Sequence, residues 1–173
     1  MNRELMTQFP DLLKKLHQLD FDYADGDGID FEPYQDFLSP EETAGFLTAW
    51  TGNPQADAST LLFFGQDGTG GCAAFWIVNK DKTILDQPIV FLGSEGEMGV
   101  VAKDFNDYLW LLSQNHGPFE SIEYPEANTQ INNDFLNFAK QNSKSNSRSV
   151  TEILNDAQSS YPNFKTWIED MIR

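Results

Sequence analysis

Phe9, Leu12, Leu13, Leu16 and Leu19 recur at spacings of three and four and predict a helix with one apolar face. Pro10 suits its first turn or a kink. The stretch DFDYADGDGID that follows, with two glycines among aspartates, predicts a loop. A second helix has a defined start: Ser39 at the N-cap, Pro40 at the first helical position and Glu42 three residues after the cap complete a capping box. Its apolar positions are Ala44, Phe46, Leu47 and Trp50, and Gly52 and Pro54 end it. The period then changes. Leu61 to Phe64, Cys72 to Val78, Ile89 to Leu92 and Gly99 to Val101 are short apolar runs. They are separated by turn chemistry at Gly65 to Gly71, Asn79 to Lys82 and Gly93 to Gly96, and together they predict an antiparallel meander.

Asp104 can cap a third helix, with Phe105, Tyr108, Leu109 and Leu112 on one face, and Asn115-His116-Gly117-Pro118 stops it. Beyond it the periodic signal weakens. Phe135, Leu136 and Phe138 predict a short helix, Gln141 to Ser149 a mobile polar loop, and Ile153, Leu154, Phe164, Trp167, Ile168, Met171 and Ile172 a final helix or helix pair. The expected fold is therefore α+β: a curved antiparallel sheet from Leu61 to Val101, flanked by helices at Pro40 to Thr51 and Asp104 to Ser113, with a helical C-terminal extension. The expected core joins Leu47, Trp50, Phe105, Leu109 and Leu112 to Phe64, Phe75, Ile77, Val90 and Leu92.

The length of 173 residues suits a single domain and needs no disulfide or metal to hold a core. The chain is 40% hydrophobic, which excludes a disordered acidic tail despite a net charge of −16. Cys72 is the one cysteine, so no intrachain disulfide forms. The opening MNRELMTQFPDLLKKL has no apolar run of signal-peptide length, and no stretch reaches the roughly 18 apolar residues of a membrane span. A cytoplasmic location is expected, with no membrane association. The charge also disfavours nucleic acid and points to a basic protein as partner. It is concentrated: Asp20, Asp22, Asp25, Asp27, Asp30, Glu32, Asp36, Glu41 and Glu42 lie in a stretch without Lys or Arg. Asp22, Asp25, Asp27, Asp30, Glu32 and Asp36 are the expected partner-binding residues.

Three chemical readings fail on spacing. With Asp27 and Gly28 at positions 5 and 6 of a calcium loop, Tyr23 falls at position 1, Asp30 at 8 and Tyr34 at 12, so the first ligand, the apolar plug and the closing glutamate are missing. Gly65 and Gly70 have phosphate-loop spacing, but Gly71 and Cys72 stand where Lys and Ser or Thr are required. Cys72 with His17 or His116 has no protease or nucleophile-elbow surroundings, and no pair has zinc spacing. No catalytic residue, metal or cofactor is expected, although a pair of carboxylates for glycoside hydrolysis remains an alternative.

The segment Leu38 to Asn115 resembles the SUKH superfamily, which includes yeast cell-wall-assembly regulators and bacterial immunity proteins. The resemblance rests on four stretches in order: LSPEETAGFLTAW before Gly52, LLFFGQDGTGG, PIVFLGSEGE, and VAKDFNDYLWLL with its A-x-x-F start at Ala102 and Phe105. Gly70-Gly71-Cys72 departs from the commoner pattern, in which glycine precedes a polar residue. The resemblance implies a core over about 38–115, with an N-terminal helix and acidic loop over 1–37 and a helical extension over 128–173. It implies binding rather than catalysis: an immunity protein that neutralises a toxin, often a nuclease or deaminase domain. A regulatory adaptor of the cell-wall-assembly type is the alternative within the family.

Overall fold

The computed structural model describes residues 8–173; the first seven residues of the expected N-terminal segment lie outside the described residues. The fold is α+β, with an open, wholly antiparallel sheet of five strands in sequential order. The strands are β1 (Glu32–Pro33), β2 (Leu61–Gln66), β3 (Cys72–Trp76), β4 (Ile89–Leu92) and β5 (Met98–Ala102). The helices are α1 (Asp11–Leu16), α2 (Pro40–Thr51), α3 (Phe105–Ser113), α4 (Pro118–Glu123), α5 (Asn133–Asn142), α6 (Val150–Ser160) and α7 (Phe164–Glu169).

The strands read as unbroken apolar runs because both faces of the sheet are covered. Along β4, Ile89 and Phe91 enter one core cluster while Val90 and Leu92 enter the other. Along β3 the alternation is repeated: Ala73 and Phe75 face one way, Cys72 and Ala74 the other. Leu13 and Leu16 of α1, most of α3, and Phe135 and Ala139 of α5 fill the first side. Leu47 of α2 and Phe164 and Ile168 of α7 fill the second. α6 contributes to both, with Val150, Ile153 and Leu154 on one side and Ala157 on the other, and packs against β5. It thereby covers the outermost strand, whose unpaired edge would otherwise invite a second chain.

Local chemistry places α2 and α3 as expected. The Ser39 hydroxyl accepts from the Glu42 N–H at 3.1 Å and the Glu42 carboxylate accepts from the Ser39 N–H at 3.1 Å. Gly52 closes the helix in the left-handed region at φ 68°. The Asp104 carboxylate accepts from the Asp107 N–H at 3.0 Å and opens α3.

Several expectations need correction. The predicted core is two clusters, with Leu47, Val90 and Leu92 across the sheet from Phe64, Phe75, Phe105, Leu109 and Leu112. Trp50 and Ile77 are half-buried, and the Trp50 indole N–H donates to the Gly93 carbonyl at 2.7 Å. α2 buries Thr43, Leu47 and Thr51, leaving Ala44 exposed. Gly65 and Gln66 belong to β2: they pair with Pro33 and Glu32 of β1 on one side and, past a bulge between Phe63 and Gly65, with Ala73 and Cys72 of β3 on the other. α3 ends at Ser113, ahead of Asn115 to Pro118 as expected, but Pro118 also opens a separate helix, α4, that was not expected. The predicted polar loop is tied down at both ends. The Ser143 hydroxyl donates to the Asn106 carbonyl at 3.2 Å, the Trp110 indole donates to the Ser145 carbonyl at 3.1 Å, and the Gln114 amide donates to the Arg148 carbonyl at 2.9 Å. Among the described residues, no helix is long and apolar enough to cross a membrane.

Candidate functional site: an acidic face

The acidic loop is closed at its base by the Ile29 N–H, which donates to the Asp22 carbonyl at 2.9 Å. Gly28 is required there, since a Cβ would stand 2.0 Å from that carbonyl oxygen. Phe21 and Phe31 anchor the flanks of the loop; Ile29 and Phe31 are buried. The loop tip is tight, with positive φ at Ala24 (48°), Asp25 (53°) and Gly26 (97°). Buried apolar anchors at the base therefore force the aspartates between them outward.

The six expected binding carboxylates fall into four places. Asp22 and Asp27 are exposed and line a cleft of about 660 Å³ between the loop and the 127–134 segment. Asp134 and the amides of Asn115 and Asn132 share that cleft. Asp25 is exposed at the loop tip. Asp30 and Glu32 run beside β2: Asp30 Oδ1 accepts from the Gly68 N–H at 2.8 Å, and Glu32 accepts from the Gln66 amide at 3.4 Å. Asp36 is exposed and stands apart, in a groove of about 680 Å³ that also holds Asp57. None of the six takes part in an ion pair among the described residues.

Beneath this face lies a carboxyl that the sequence reading missed. Glu120 accepts from the Asp30 N–H at 3.0 Å and from the Gly117 N–H at 3.1 Å. Burial pushes its carboxyl up to about 7, against these hydrogen bonds and with the Asp30 charge adding to the rise. The available signal was Gly117-Pro118-Phe119-Glu120, a proline at the first helical position followed by glutamate at the third. Reading Pro118 only as a stop for α3 hid it.

The rejected chemistries have physical counterparts. The Gly65 to Gly71 run is a hairpin whose amides turn inward: Asp67 Oδ1 accepts from the Thr69 N–H at 2.7 Å, the Thr69 hydroxyl at 2.5 Å and the Gly71 N–H at 3.2 Å. A carboxylate thus occupies the position an anion would need. The Cys72 thiol is pushed up to about 11, by burial first, with Asp67 adding and the Tyr34 hydrogen bond opposing. It is therefore a protonated, inert thiol at neutral pH. Burial holds His17 down at about 4, although its Nδ1–H donates to the Tyr34 carbonyl at 2.5 Å, so the ring stays neutral among Phe9, Phe21, Phe31 and Phe64. Among the described residues no group of three or more His, Cys, Asp or Glu converges as a metal site.

No family model, no curated protein and no solved structure matches the chain. What the acidic face can do is accordingly read from its own chemistry. It presents fixed negative charge on a loop held by apolar anchors, with concave surface on either side. Clustered charge of one sign on such a surface concentrates the local potential and suits contact with cationic groups.

Proposed function

We propose that this chain is a non-enzymatic protein-binding module, an immunity protein of the kind the SUKH resemblance implies, which binds and neutralises a basic toxin domain in the cytoplasm. The observation that carries the proposal is the set of exposed carboxylates at Asp22, Asp25, Asp27, Glu32 and Asp36, in a stretch without Lys or Arg and without an ion pair among the described residues. A nuclease or deaminase domain carries cationic surface to receive phosphates, and a carboxylate-bearing loop competes for it. The inert Cys72 thiol and the neutral, buried His17 favour binding over nucleophilic catalysis.

The test is association kinetics with the toxin domain encoded beside this chain's own gene, at several salt concentrations. Steering acts on the on-rate, which should fall by roughly ten- to a thousandfold between low and high salt while the off-rate changes less. Changing Asp22, Asp25 and Asp27 to Asn and Glu32 to Gln should flatten that dependence. Asp30 is left intact because its carboxylate also holds the Gly68 turn. An on-rate indifferent to both salt and the amide changes would remove the acidic face from the proposal.

A further inference from the structure

His116 lies between α3 and α4, and its buried ring stands where the ends of the two helices meet. Nδ1 is 3.0 Å from the carbonyl oxygen of Gln114, the C-cap of α3. Nε2 is 3.2 Å from the carbonyl oxygen of Tyr124, the C-cap of α4. A carbonyl oxygen only accepts, so each ring nitrogen must carry a hydrogen to make its bond. A neutral imidazole has a single N–H, and in either tautomer it would turn a bare lone pair on one of the two carbonyls. Thr129 adds a further acceptor. Its hydroxyl donates to the Gln114 carbonyl, so it offers Nδ1, 3.3 Å away, an oxygen lone pair and not a proton.

We infer that His116 is held as an imidazolium that fastens the ends of α3 and α4 to each other and to the 127–134 wall of the acidic cleft, and that loss of its proton at higher pH releases one of these ties. The fastening is a property of the chain alone and holds whichever partner the acidic face receives.

The surroundings of the ring favour the cation. Burial opposes any charge, but both partners are carbonyls at helix C-termini, where positive charge is stabilised. A hollow of about 380 Å³ beside the ring is lined by the 125–131 segment and the start of α6, and besides His116 the one charged side chain there is Glu126. From α3, the Gln114 side chain is an uncharged amide that donates to the Trp110 and Arg148 carbonyls. From α4, the Glu120 carboxyl accepts the Gly117 N–H, next to His116 in the chain. The wall of the cleft hangs on this joint. The Ala127 N–H donates to the same Tyr124 carbonyl at 3.1 Å, and the Asn132 N–H donates to the Ser113 carbonyl at 2.8 Å. The Asn115 amide donates to the Gln130 carbonyl at 2.9 Å, and Asn115 and Asn132 line the cleft with Asp22 and Asp27. The fastened form makes both ring bonds only with the extra proton, so it binds more protons than the released form. Its advantage is therefore complete on the acid side and declines as pH rises through the range in which imidazoles lose their charge, about pH 5–8.

The chain has two histidines, so nitrogen-15 NMR of the ring nitrogens reads each of them separately. At about pH 5, His116 should show two protonated, slowly exchanging ring nitrogens. His17, held neutral with one ring nitrogen unpartnered, should show one protonated and one bare nitrogen in the same spectrum. Raising the pH to about 8 should remove one of the two His116 protons. Over that range the amide exchange protection of Ala127 and Asn132, corrected for the intrinsic rate at each pH, should fall about tenfold. In His116→Gln that fall should be absent, and since the variant keeps Glu120, the carboxyl of α4 is thereby excluded as its source. The ring spectra come from the native chain and stand even if His116→Gln fails to fold. A His116 ring with one bare nitrogen at about pH 5 overturns the inference, as does protection at Ala127 and Asn132 that stays constant with pH or falls equally in the variant. The free chain alone is measured, so neither outcome bears on toxin binding.

Discussion

Replacing Arg148 by Met should cost about 3–5 kcal/mol, the range for breaking a buried ion pair by removing one partner. Asp107 on α3 has no exposed surface, yet it carries a carboxylate. Arg148 pairs with it through one guanidinium nitrogen and with Asp156 through the other at 3.0 Å. The Ser145 hydroxyl also donates to Asp107, at 3.1 Å. Without Arg148 the Asp107 charge is left inside the protein with only that hydroxyl and neighbouring dipoles. Lys103, which meets Asp156 at 3.0 Å with a more exposed side chain, should be worth under about 1 kcal/mol when changed to Met. Denaturant unfolding of the two variants checks the contrast. Pairing Arg148→Met with Asp107→Leu should recover part of the loss, since no charge is then stranded. A loss below about 1 kcal/mol for Arg148→Met would mean that its pairing with Asp107 does not hold the polar segment after α5 against α3.

Phe64→Ala should be of similar size, about 3–5 kcal/mol, because it removes a fully buried ring from a close-packed cluster. Phe64 meets Phe75 at a centroid distance of 5.0 Å, Tyr108 at 5.8 Å, Phe31 at 5.9 Å and the neutral ring of His17 at 6.1 Å. These partners come from β3, α3, the acidic loop's flank and the end of α1, so a cavity there has no single element able to collapse into it. At this chain length the loss corresponds to roughly 2–4 °C of melting temperature per kcal/mol. Phe64→Leu, which retains most of the volume, should lose markedly less. Equal losses for Ala and Leu would indicate that the ring geometry, not the buried volume, is what matters at this position.

What the sequence discloses about this fold divides by range. The start of α2 is legible because its determinants all lie within residues 39–42: a serine hydroxyl, a proline ring and a glutamate three residues after the serine. The strands are legible as apolar runs, but a run does not say whether one face of a sheet is covered or two. That depends on α2 and α7, which lie far from each other in sequence and on the same side of the sheet. Gly65 and Gln66 read as turn because glycine is weak in strands, whereas their pairing with Pro33 and Glu32 is a tertiary decision. The segment between α5 and α6 reads as loose because it is polar. Its polarity is matched to Asn106, Asp107 and Trp110 on α3 and to Gln114 just past its end, partners more than thirty residues away.

The candidate site shows the same division. Clustering of carboxylates is visible in the sequence, and their exposure follows from the polar spacing between Phe21, Ile29 and Phe31. Their separation into a cleft, a loop tip, a strand edge and a groove is not visible, because the cleft is completed by Asn132 and Asp134 and the groove by Asp57, residues distant in sequence. The place of Glu120 in a helix's first turn is legible from Gly117-Pro118-Phe119-Glu120, but nothing near it in sequence marks it as the partner of Asp30.

The central claim is that a basic protein docks on the acidic face. Hydrogen exchange of the chain mixed with the basic toxin domain proposed as its partner, compared with the free chain, tests this most directly. The account predicts protection gained over residues 22–36 and 127–134, with the amides of α6 and α7 unchanged. Protection confined to α6 and α7, with the acidic loop exchanging as in the free chain, would contradict it.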